Sequence, residues 1–296
     1  MWVSGGTGYV GGAVVEALRA SGHRVTLLCH ERRPAPREGV ALVEGDVRLE
    51  GAWTESLEGH DAVVHLVAIL REWVSRGVTF EALHVGATHR VLAAARRAGV
   101  RRFVHMSALG VGRCRGSRYF DTKAQAEEEV RRSGLAWTIL RPSFVFGDAS
   151  PFFALVRRLG RAPLTPVVGA GDVPFQPVAL EDVATAVVRV LERSLSVGQV
   201  YEMGGPDVVT YRRLLDLAAG RPVRALTLPP ALVRSVARLF EAWPAFPVTA
   251  DQVAMLGCAN VAGDRRWQED LGIEPASFVA WANLWARGRA GGPDRP

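Results

Sequence analysis

Near the start of the chain stands Gly5-Gly6-Thr7-Gly8-Tyr9-Val10-Gly11, a G-x-x-G-x-x-G pattern between the apolar run Met1–Ser4 and the helical pattern Gly11–Ala20. Glycine lets a backbone turn sharply and approach a pyrophosphate, and the N-terminus of the following helix attracts the phosphate charge. A second apolar run, Arg24–Cys29, follows the helix. Strand, turn, helix and strand in this order predict a dinucleotide-binding unit.

Short apolar runs and helical segments alternate through the rest of the first half of the chain. The apolar runs are Val40–Val43, Ala62–Ala68, Phe103–Ser107 and Ala136–Leu140, and the helical segments are Val85–Ala98 and Thr122–Ser133. Strands that are hydrophobic throughout are typical of a parallel sheet covered on both faces. We therefore predict an α/β fold, a doubly wound parallel (Rossmann) sheet.

The composition changes after Pro142, where a Pro- and Gly-rich stretch leads into a basic, apolar C-terminal half. This change predicts two parts. Residues 1–147, to which 178–205 return, form an NAD(P)-binding domain, and residues 148–177 and 206–296 form a smaller substrate lobe that closes a cleft.

The 296 residues are 48% hydrophobic and 22% charged, which excludes collagen, a disordered tail and a membrane bundle. The net charge of +6 permits an anionic partner, but the arginines are scattered in pairs without aromatic neighbours, so a solvated surface is favoured over nucleic-acid binding. Three separated cysteines indicate neither a disulfide framework nor a metal site, which favours a cytoplasmic protein. We expect no signal peptide, and the short first strand suggests that the true start lies upstream.

The end of the second strand bears on the choice of cofactor. Cys29 is followed by His30, Glu31, Arg32 and Arg33. A carboxylate at this point binds the ribose 2′-hydroxyl of NAD, whereas cations accept the 2′-phosphate of NADP. His30, Arg32 and Arg33 therefore favour NADP(H) over NAD(H). Glu31 argues for NAD(H), and a solvated loop is the other interpretation of the two arginines.

Lysine occurs once among the 36 basic residues, as Lys123, four residues after Tyr119. A Y-x-x-x-K spacing places both side chains on one helical face. A phenol has a pKa of about 10, and a nearby ammonium lowers it by favouring the phenolate. We predict Tyr119 as the acid/base and Lys123 as the group that lowers its pKa and holds the nicotinamide ribose. A tyrosine and a solvated lysine paired by chance is the alternative.

Ser107 ends a predicted strand at the expected carboxyl edge of the sheet. Its hydroxyl is predicted to donate to a substrate carbonyl oxygen, as a third catalytic residue. A serine that only completes the hydrogen bonds of the strand end is the alternative. Ser117 competes for the role because it is nearer to Tyr119 along the chain.

These residues together resemble the extended and atypical short-chain dehydrogenase/reductases, which are similar to NAD-dependent epimerases and dehydratases. The resemblance covers nearly the whole chain, and it includes Gly5 to Gly11, Gly45-Asp46-Val47, His65-Leu66-Val67-Ala68, Ser107, Tyr119-x-x-x-Lys123 and Leu140-Arg141-Pro142. It implies that Asp46 and Val47 meet the adenine, and that Val67, Ala68 and Pro142 lie beside the cofactor. The chain looks most like the branch related to the dehydrogenase-like accessory subunit of respiratory complex I, through His84-Val85-Gly86-Ala87-Thr88, Ser107-Ala108-Leu109-Gly110 and Pro247-x-Thr249-x-Asp251-Gln252.

Two further features of the sequence, His84 and the segment 232–243, each have two interpretations. His84 at a helix start is more typical of a packed or solvated histidine than of a catalytic one. In the segment 232–243, Leu232, Val236, Leu239, Phe240 and Trp243 recur at helical spacing. This segment is either an ordinary helix over the substrate lobe or a surface that docks at a membrane or a respiratory complex from the cytoplasmic side.

The predicted function is hydride transfer between NADP(H) and a small carbonyl or hydroxyl substrate. A non-catalytic, NADP(H)-binding accessory protein of a membrane respiratory complex is the alternative. A cofactor-recycling epimerase is a weaker one, because the sugar-nucleotide epimerases usually have Asn where this chain has His84.

Overall fold

A computed structural model describes residues 1–31, 33–160, 162–241, 243, 246 and 248–289. Arg32 and Pro247, on which two of the sequence predictions depend, lie outside the described residues. Contacts divide the chain into two units. The first comprises Met1–Pro142, Leu180–Met203 and Asp264–Ile273, and the second comprises Ser143–Ala179, Gly204–Gly263 and the chain from Glu274.

The elements alternate as the sequence predicts. In chain order the strands are β1 (Trp2–Ser4), β2 (Val25–Cys29), β3 (Val40–Glu44), β4 (Ala62–His65), β5 (Arg102–Met106), β6 (Ala136–Pro142), β7 (Val145–Phe146), β8 (Thr165–Val168), β9 (Pro174–Phe175), β10 (Val178–Ala179), β11 (Gln199–Met203), β12 (Val209–Thr210) and β13 (Ala225–Leu228). The α-helices are α1 (Tyr9–Ala20), α2 (Ala87–Arg97), α3 (Arg118–Arg131), α4 (Pro151–Gly160), α5 (Leu180–Glu192), α6 (Tyr211–Ala219), α7 (Pro230–Phe240), α8 (Ala250–Leu256), α9 (Arg266–Leu271) and α10 (Phe278–Arg289). A π-helical segment, Glu81–Gly86, leads into α2.

The first unit is built on a parallel sheet. In the described residues its strand order is β11-β6-β5-β4-β1-β2-β3, and every neighbouring pair is parallel. The order reverses between β1 and β4, where a doubly wound sheet opens a crevice at the carboxyl ends of its strands. The predicted doubly wound α/β fold is confirmed.

The hydrophobic strands explain this arrangement. The side chains of β1 and β4 are buried along their whole length, as helices on both faces of a parallel sheet require. Trp2 stacks on Trp53 with ring centroids 5.7 Å apart, and both belong to a core that includes Phe103 and Ile139. This packing fixes the positions of the strands, and with them the positions of the residues at their carboxyl ends.

The segment Asp264–Ile273 groups with the first unit, whereas the change of composition after Pro142 predicts it in the smaller lobe. Its contacts explain the difference. Trp267 is fully buried, Arg193 donates to the Asp270 carbonyl oxygen at 2.6 Å, and the Tyr201 hydroxyl donates to the Asp270 carboxylate at 2.9 Å. These are long-range contacts that no local pattern predicts.

Helix α3 begins at Arg118, four residues before the predicted start at Thr122. The buried Ser117 is its N-cap and accepts a hydrogen bond from the backbone N–H of Phe120. A serine in this position satisfies an N–H that has no partner inside the helix. The earlier start places Tyr119 on the same helix as Lys123.

The second unit has its own core, made of aromatic side chains from several elements: Phe146, Phe153, Phe175, Tyr211 and Phe278. Trp281 and Trp285 stack at 5.9 Å and pack against this core. In the described part of the chain, none of the helices is both long enough and apolar enough to span a bilayer.

Candidate functional site

The Gly-rich turn has the geometry that the sequence predicts. Gly5 has a φ of 76°, and a Cβ there would lie 2.8 Å from the Leu66 carbonyl carbon. A Cβ on Gly11 would overlap the Gly5 carbonyl oxygen. Helix α1 begins right after the exposed N-cap Gly8, so its first N–H groups point towards the turn. Thr7, Tyr9 and Val10 are partly buried around it. The turn therefore admits glycine alone at Gly5 and Gly11.

A cavity of about 430 Å³ opens beside this turn, at the carboxyl ends of the strands on either side of the order reversal. Of the residues predicted to bind the cofactor, it is lined by Gly5, Thr7, His30, Asp46, Val47 and Val67. Its size and position suit the adenosine part of a dinucleotide. Ala68, next in the chain, is exposed.

Asp46 is held in the cavity by Arg48. The Arg48 Nε lies 2.9 and 3.0 Å from the two carboxylate oxygens, and Nη2 lies 2.7 Å from one of them. Burial raises the pKa of Asp46, but the hydrogen bonds from Arg48 outweigh it and hold that pKa below its usual value. His30 Nε2 is 3.4 Å from the same carboxylate. Asp46 is thus a fixed, ionised acceptor.

The cations of the cavity differ in part from those that the sequence singled out. Arg33 is exposed and pairs with Glu44 at 2.7 Å, outside the cavity lining, whereas His30 lines it. Arg48, Arg71 and Arg76 line it as well, and sequence reasoning missed them because the cofactor pattern places no cation there. Arg71 lies over the Trp73 ring, 4.7 Å from its centroid.

Tyr119 and Lys123 come together on the buried face of α3. Tyr119 is 6% exposed, and its ring meets the His84 ring edge-on with centroids 5.2 Å apart. Lys123 is 1% exposed and donates from Nζ to the Met106 carbonyl oxygen at 2.8 Å, at the carboxyl end of β5. Burial lowers the pKa of Lys123 to about 8, while Glu127 acts in the opposite direction. The lysine of the Y-x-x-x-K motif is thus a buried ammonium.

Ser107 follows Met106 directly and is also buried. Its hydroxyl donates to Glu127 Oε1 at 2.6 Å. A serine has a single hydroxyl proton, so in this arrangement Ser107 offers a ligand its lone pairs rather than a proton. The part of Ser107 in catalysis stays a prediction, but with Ser107 as a hydrogen-bond acceptor rather than a donor. Pro142 ends β6, where its carbonyl oxygen accepts from the Leu109 N–H at 2.9 Å.

Sequence reasoning missed Glu127, which lies one further helical turn along the same face. Its carboxylate accepts from Arg141 Nε (2.7 Å), Arg141 Nη2 (2.6 Å) and Arg131 Nη2 (2.6 Å), besides Ser107. Burial raises the pKa of Glu127, but Arg141 and Ser107 hold it below the usual value. The signal was present in the sequence as Y-x-x-x-K-x-x-x-E, a spacing that puts all three side chains on one face.

His84 is packed rather than solvated. Its Nε2 accepts from the Ile69 N–H at 3.2 Å, and its Nδ1 lies 2.9 Å from the Thr122 hydroxyl oxygen. A nitrogen that accepts from a backbone N–H carries no proton, so Nδ1–H donates to Thr122. Burial and the charge of Lys123 lower the pKa of His84 to about 2. A neutral His84 therefore connects α3 to the loop that follows β4.

Two more histidines lie buried in the sheet, His65 on β4 and His105 on β5. His65 contacts Ser4 and Thr88 through its two ring nitrogens, and burial lowers its pKa to about 3. His105 stacks on His65 at 5.6 Å, and neither of its ring nitrogens has a hydrogen-bond partner among the described residues. Burial holds the pKa of His105 far below its ordinary value. In the described ranges, no group of His, Cys, Asp and Glu side chains is arranged to hold a metal ion.

The segment around α7 is exposed. The exposed fractions are 55% for Leu232, 39% for Val236, 75% for Leu239, 41% for Phe240 and 62% for Trp243. Ala237, on another side of the helix, is fully buried. The apolar residues that recur at helical spacing therefore form an exposed face, which we call the α7 face.

A doubly wound sheet with a glycine turn at the start of its first helix defines a Rossmann-type dinucleotide-binding protein. The model of the NAD(P)H-binding family matches residues 5–194, and the chain belongs to that family. The resemblance that the sequence motifs predicted is confirmed at this level.

Several proteins show how far the similarity extends. The chain is 32% identical to NADH dehydrogenase (ubiquinone) 1 alpha subcomplex subunit 9 of Arabidopsis thaliana, over 73% of this chain and 56% of that protein. It is 32% identical to (4-alkanoyl-5-oxo-2,5-dihydrofuran-3-yl)methyl phosphate reductase of Streptomyces griseus, over 75% of this chain and 74% of that protein. The Escherichia coli NADPH-dependent quinone oxidoreductase superposes with a TM-score of 0.76 at 19% identity, over 96% of this chain and 99% of the other. The chain spans just over half the length of the Arabidopsis relative.

Proposed function

We propose that the protein is an NADP(H)-dependent oxidoreductase that acts on a small carbonyl or hydroxyl substrate. The observation that carries the proposal is the burial of the single lysine, Lys123, one helical turn after Tyr119 and beside the end of β5. Burying a charge is costly, so a desolvated ammonium indicates that this position has a role that requires it. The 32% identity to a reductase of Streptomyces griseus supports a catalytic role for Lys123.

Each predicted residue then has a part. Tyr119 moves the proton on the substrate oxygen, Lys123 favours the phenolate and binds the nicotinamide ribose, and Ser107 orients a substrate hydroxyl by accepting a hydrogen bond from it. A bound nicotinamide supplies or accepts the hydride. The groups proposed to surround the cofactor are Gly5, Thr7, Gly8, Tyr9, Val10 and Gly11 at the pyrophosphate, His30 and Arg33 at the ribose phosphate, Asp46 and Val47 at the adenine, and Val67, Ala68 and Pro142 towards the nicotinamide.

The cavity favours NADP(H) over NAD(H). Asp46, one of its carboxylates, is already paired with Arg48, which leaves Glu31 as the other acid of the lining. The lining also holds two arginines that outnumber this acid, Arg71 and Arg76, besides the imidazole ring of His30. A 2′-phosphate carries two negative charges and gains from such a surplus of cations. NADPH should therefore bind at least about tenfold more tightly than NADH by calorimetry, and equal affinities would contradict the preference.

Turnover separates the proposal from its alternative. We expect Tyr119→Phe to lower NADPH oxidation over a panel of small carbonyl compounds by at least about a hundredfold, because general acid catalysis is lost. Tyr211→Phe is the matched control, since Tyr211 is equally buried but lies in the second unit. A chain that binds neither NADPH nor NADH overturns the proposal. Binding with turnover that ignores Tyr119 favours an accessory role.

The α7 face favours this second candidate, an NADP(H)-binding accessory protein of a membrane respiratory complex. Large exposed apolar patches on soluble proteins mark docking sites, and the chain is similar to a complex I subunit. An accessory protein of this kind would lie at the inner face of the membrane, whereas the oxidoreductase proposed above would lie in the cytoplasm. The double variant Leu239→Gln, Trp243→Gln should abolish co-purification with membranes, whereas Leu284→Gln, equally exposed on α10, should not.

A further inference from the structure

Two buried side chains of α3 bind two adjacent residues at the end of β5. Lys123 donates to the carbonyl oxygen of Met106, and Glu127 accepts from the hydroxyl of the next residue, Ser107. Lys123 and Glu127 are four residues apart on the helix, and their exposed fractions are 1% and 0%. Opposite charges at this spacing face each other, and because both side chains are buried their attraction is weakly screened.

The other titratable groups around Lys123 cannot supply a compensating charge. The charge of Lys123 lowers the pKa of His65 on β4, His105 on β5 and His84 in the π-helical segment, and burial, the larger effect, keeps all three neutral at pH 7. Tyr119 is one turn back on the same helix. Glu127 is the one carboxylate that acts on Lys123 among the described residues, and it favours the ammonium.

Glu127 is itself held ionised by arginines, which do not fully cancel its charge. Arg131 is about one-third exposed, so water screens it, and Arg141 is shared with Glu202, whose Oε1 lies 3.5 Å from Nη1. Glu202 pairs in turn with Arg113 at 3.1 Å. The chain of ion pairs leads away from Lys123 towards β11. The carboxylate of Glu127 therefore has hydrogen bonds to both of its oxygens, and in this chain of ion pairs it is the negative charge that acts on Lys123.

We propose that Glu127 is a positioning residue of the proposed cofactor site, whose buried carboxylate keeps Lys123 in the ammonium form at neutral pH. The inference rests on the proposed function in one respect, that the ammonium of Lys123 is what binds the cofactor ribose. Glu127 touches neither cofactor nor substrate and acts through Lys123.

The single lysine makes a direct test possible. Protein grown with ¹³Cε-labelled lysine gives one side-chain NMR signal, from Lys123, and its pH titration yields the pKa of that residue. Glu127→Gln should lower this pKa by about one unit or more, as expected on removal of a close opposite charge. Glu128→Gln, which removes the same charge from the neighbouring, half-exposed residue, should leave it within about 0.3 units. An unchanged Lys123 pKa in folded Glu127→Gln overturns the proposal.

Cofactor binding separates a charge effect from structural damage. With a Lys123 pKa of about 8 in the wild type and about 7 in Glu127→Gln, the ammonium fraction at pH 7.5 falls about threefold. NADPH affinity should fall about threefold at pH 7.5 and recover at pH 6, where both proteins are protonated. A loss of equal size at both pH values means a structural role and contradicts the proposal. If NADPH binds to neither protein, the proposed function fails while the NMR titration still decides the inference.

Glu127→Gln leaves Arg141 with a weaker partner, so a second variant guards against failure to fold. Glu127→Asp keeps the charge but withdraws the carboxylate by one methylene. Coulombic attraction weakens with distance, so the pKa of Lys123 should fall by less than in Glu127→Gln. A pKa of Lys123 that is unchanged or raised in Glu127→Asp counts against the proposal.

Discussion

Lys123 should make the protein less stable at neutral pH than at alkaline pH. Burial lowers the pKa of Lys123 from 10.5 to about 8 in the folded chain, whereas the unfolded chain keeps the ordinary value. Between these two pKa values the unfolded chain holds a proton that the folded chain has released. Raising the pH through this window therefore stabilises the folded state. A shift of between two and three pKa units corresponds to about 3 kcal/mol.

The measurement is guanidinium unfolding of the wild type and of Lys123→Met at about pH 7 and about pH 10.5. Methionine has a similar length but no charge, so it removes the cost of the buried ammonium. Lys123→Met should be the more stable protein at pH 7, and its advantage should shrink by about 3 kcal/mol by pH 10.5. The difference between the two proteins cancels the titration of all other groups that do not interact with Lys123.

Arg118→Met serves as the control, because Arg118 lies on the same helix but its side chain is 65% exposed. Its difference from the wild type should not change over this pH range, since arginine does not titrate there. If the Lys123→Met difference is equally flat, the ammonium is not desolvated in the folded state. The reasoning from burial to a lowered pKa would then be refuted.

Three further outcomes can be checked with the same material. Lys123→Arg should weaken NADPH binding at least about tenfold, because a guanidinium keeps the charge but not the compact shape, and unchanged affinity would contradict our interpretation of the lone lysine. The folded-state pKa values of His65 and His84, about 3 and about 2, lie below the unfolded value of 6.5. The stability of the protein is therefore fully present above pH 6.5 and should fall by about 1.4 kcal/mol per histidine for each pH unit below it. Equal free energies of urea unfolding at pH 7 and pH 5.5 would argue against both lowered pKa values. Gly5→Ala should abolish NADPH binding because its Cβ would lie 2.8 Å from the Leu66 carbonyl carbon. The control Gly22→Ala, at a φ of 81° with nothing within 4 Å of the added Cβ, should only lower the melting temperature. NADPH binding that is retained by Gly5→Ala counts against the tight turn.

The dinucleotide turn and the Tyr–Lys pair were accessible from the sequence because both are local. Gly5 to Gly11 needs a strand before it and a helix after it, and both can be seen within thirty residues. Tyr119 and Lys123 share a helix, so their spacing alone places them on one face. The alternation of apolar and helical segments likewise predicts the parallel sheet.

The start of α3 was misplaced for a related reason. The signal for the end of this helix, Gly134, is strong, but the start depends on whether Ser117 caps the helix or only sits in a loop. Tertiary burial of Ser117 and Phe120 decides between the two. The pairing of the predicted phosphate cation Arg33 with Glu44, on a different strand, was likewise not visible locally, and its part in cofactor binding stays a prediction.

The sequence by itself determined the fold class and the identity of the unusual lysine, and it predicted where a dinucleotide would bind. Only the tertiary structure decided the surroundings of that lysine: Glu127 against Ser107, Arg141 against Glu127, and three neutral histidines. These two contacts of Glu127 join residues 14 and 20 positions apart, through a desolvated interior that no local pattern encodes. Charge at a buried site depends on which groups the fold brings within a few ångströms, because there the attraction is not screened by water.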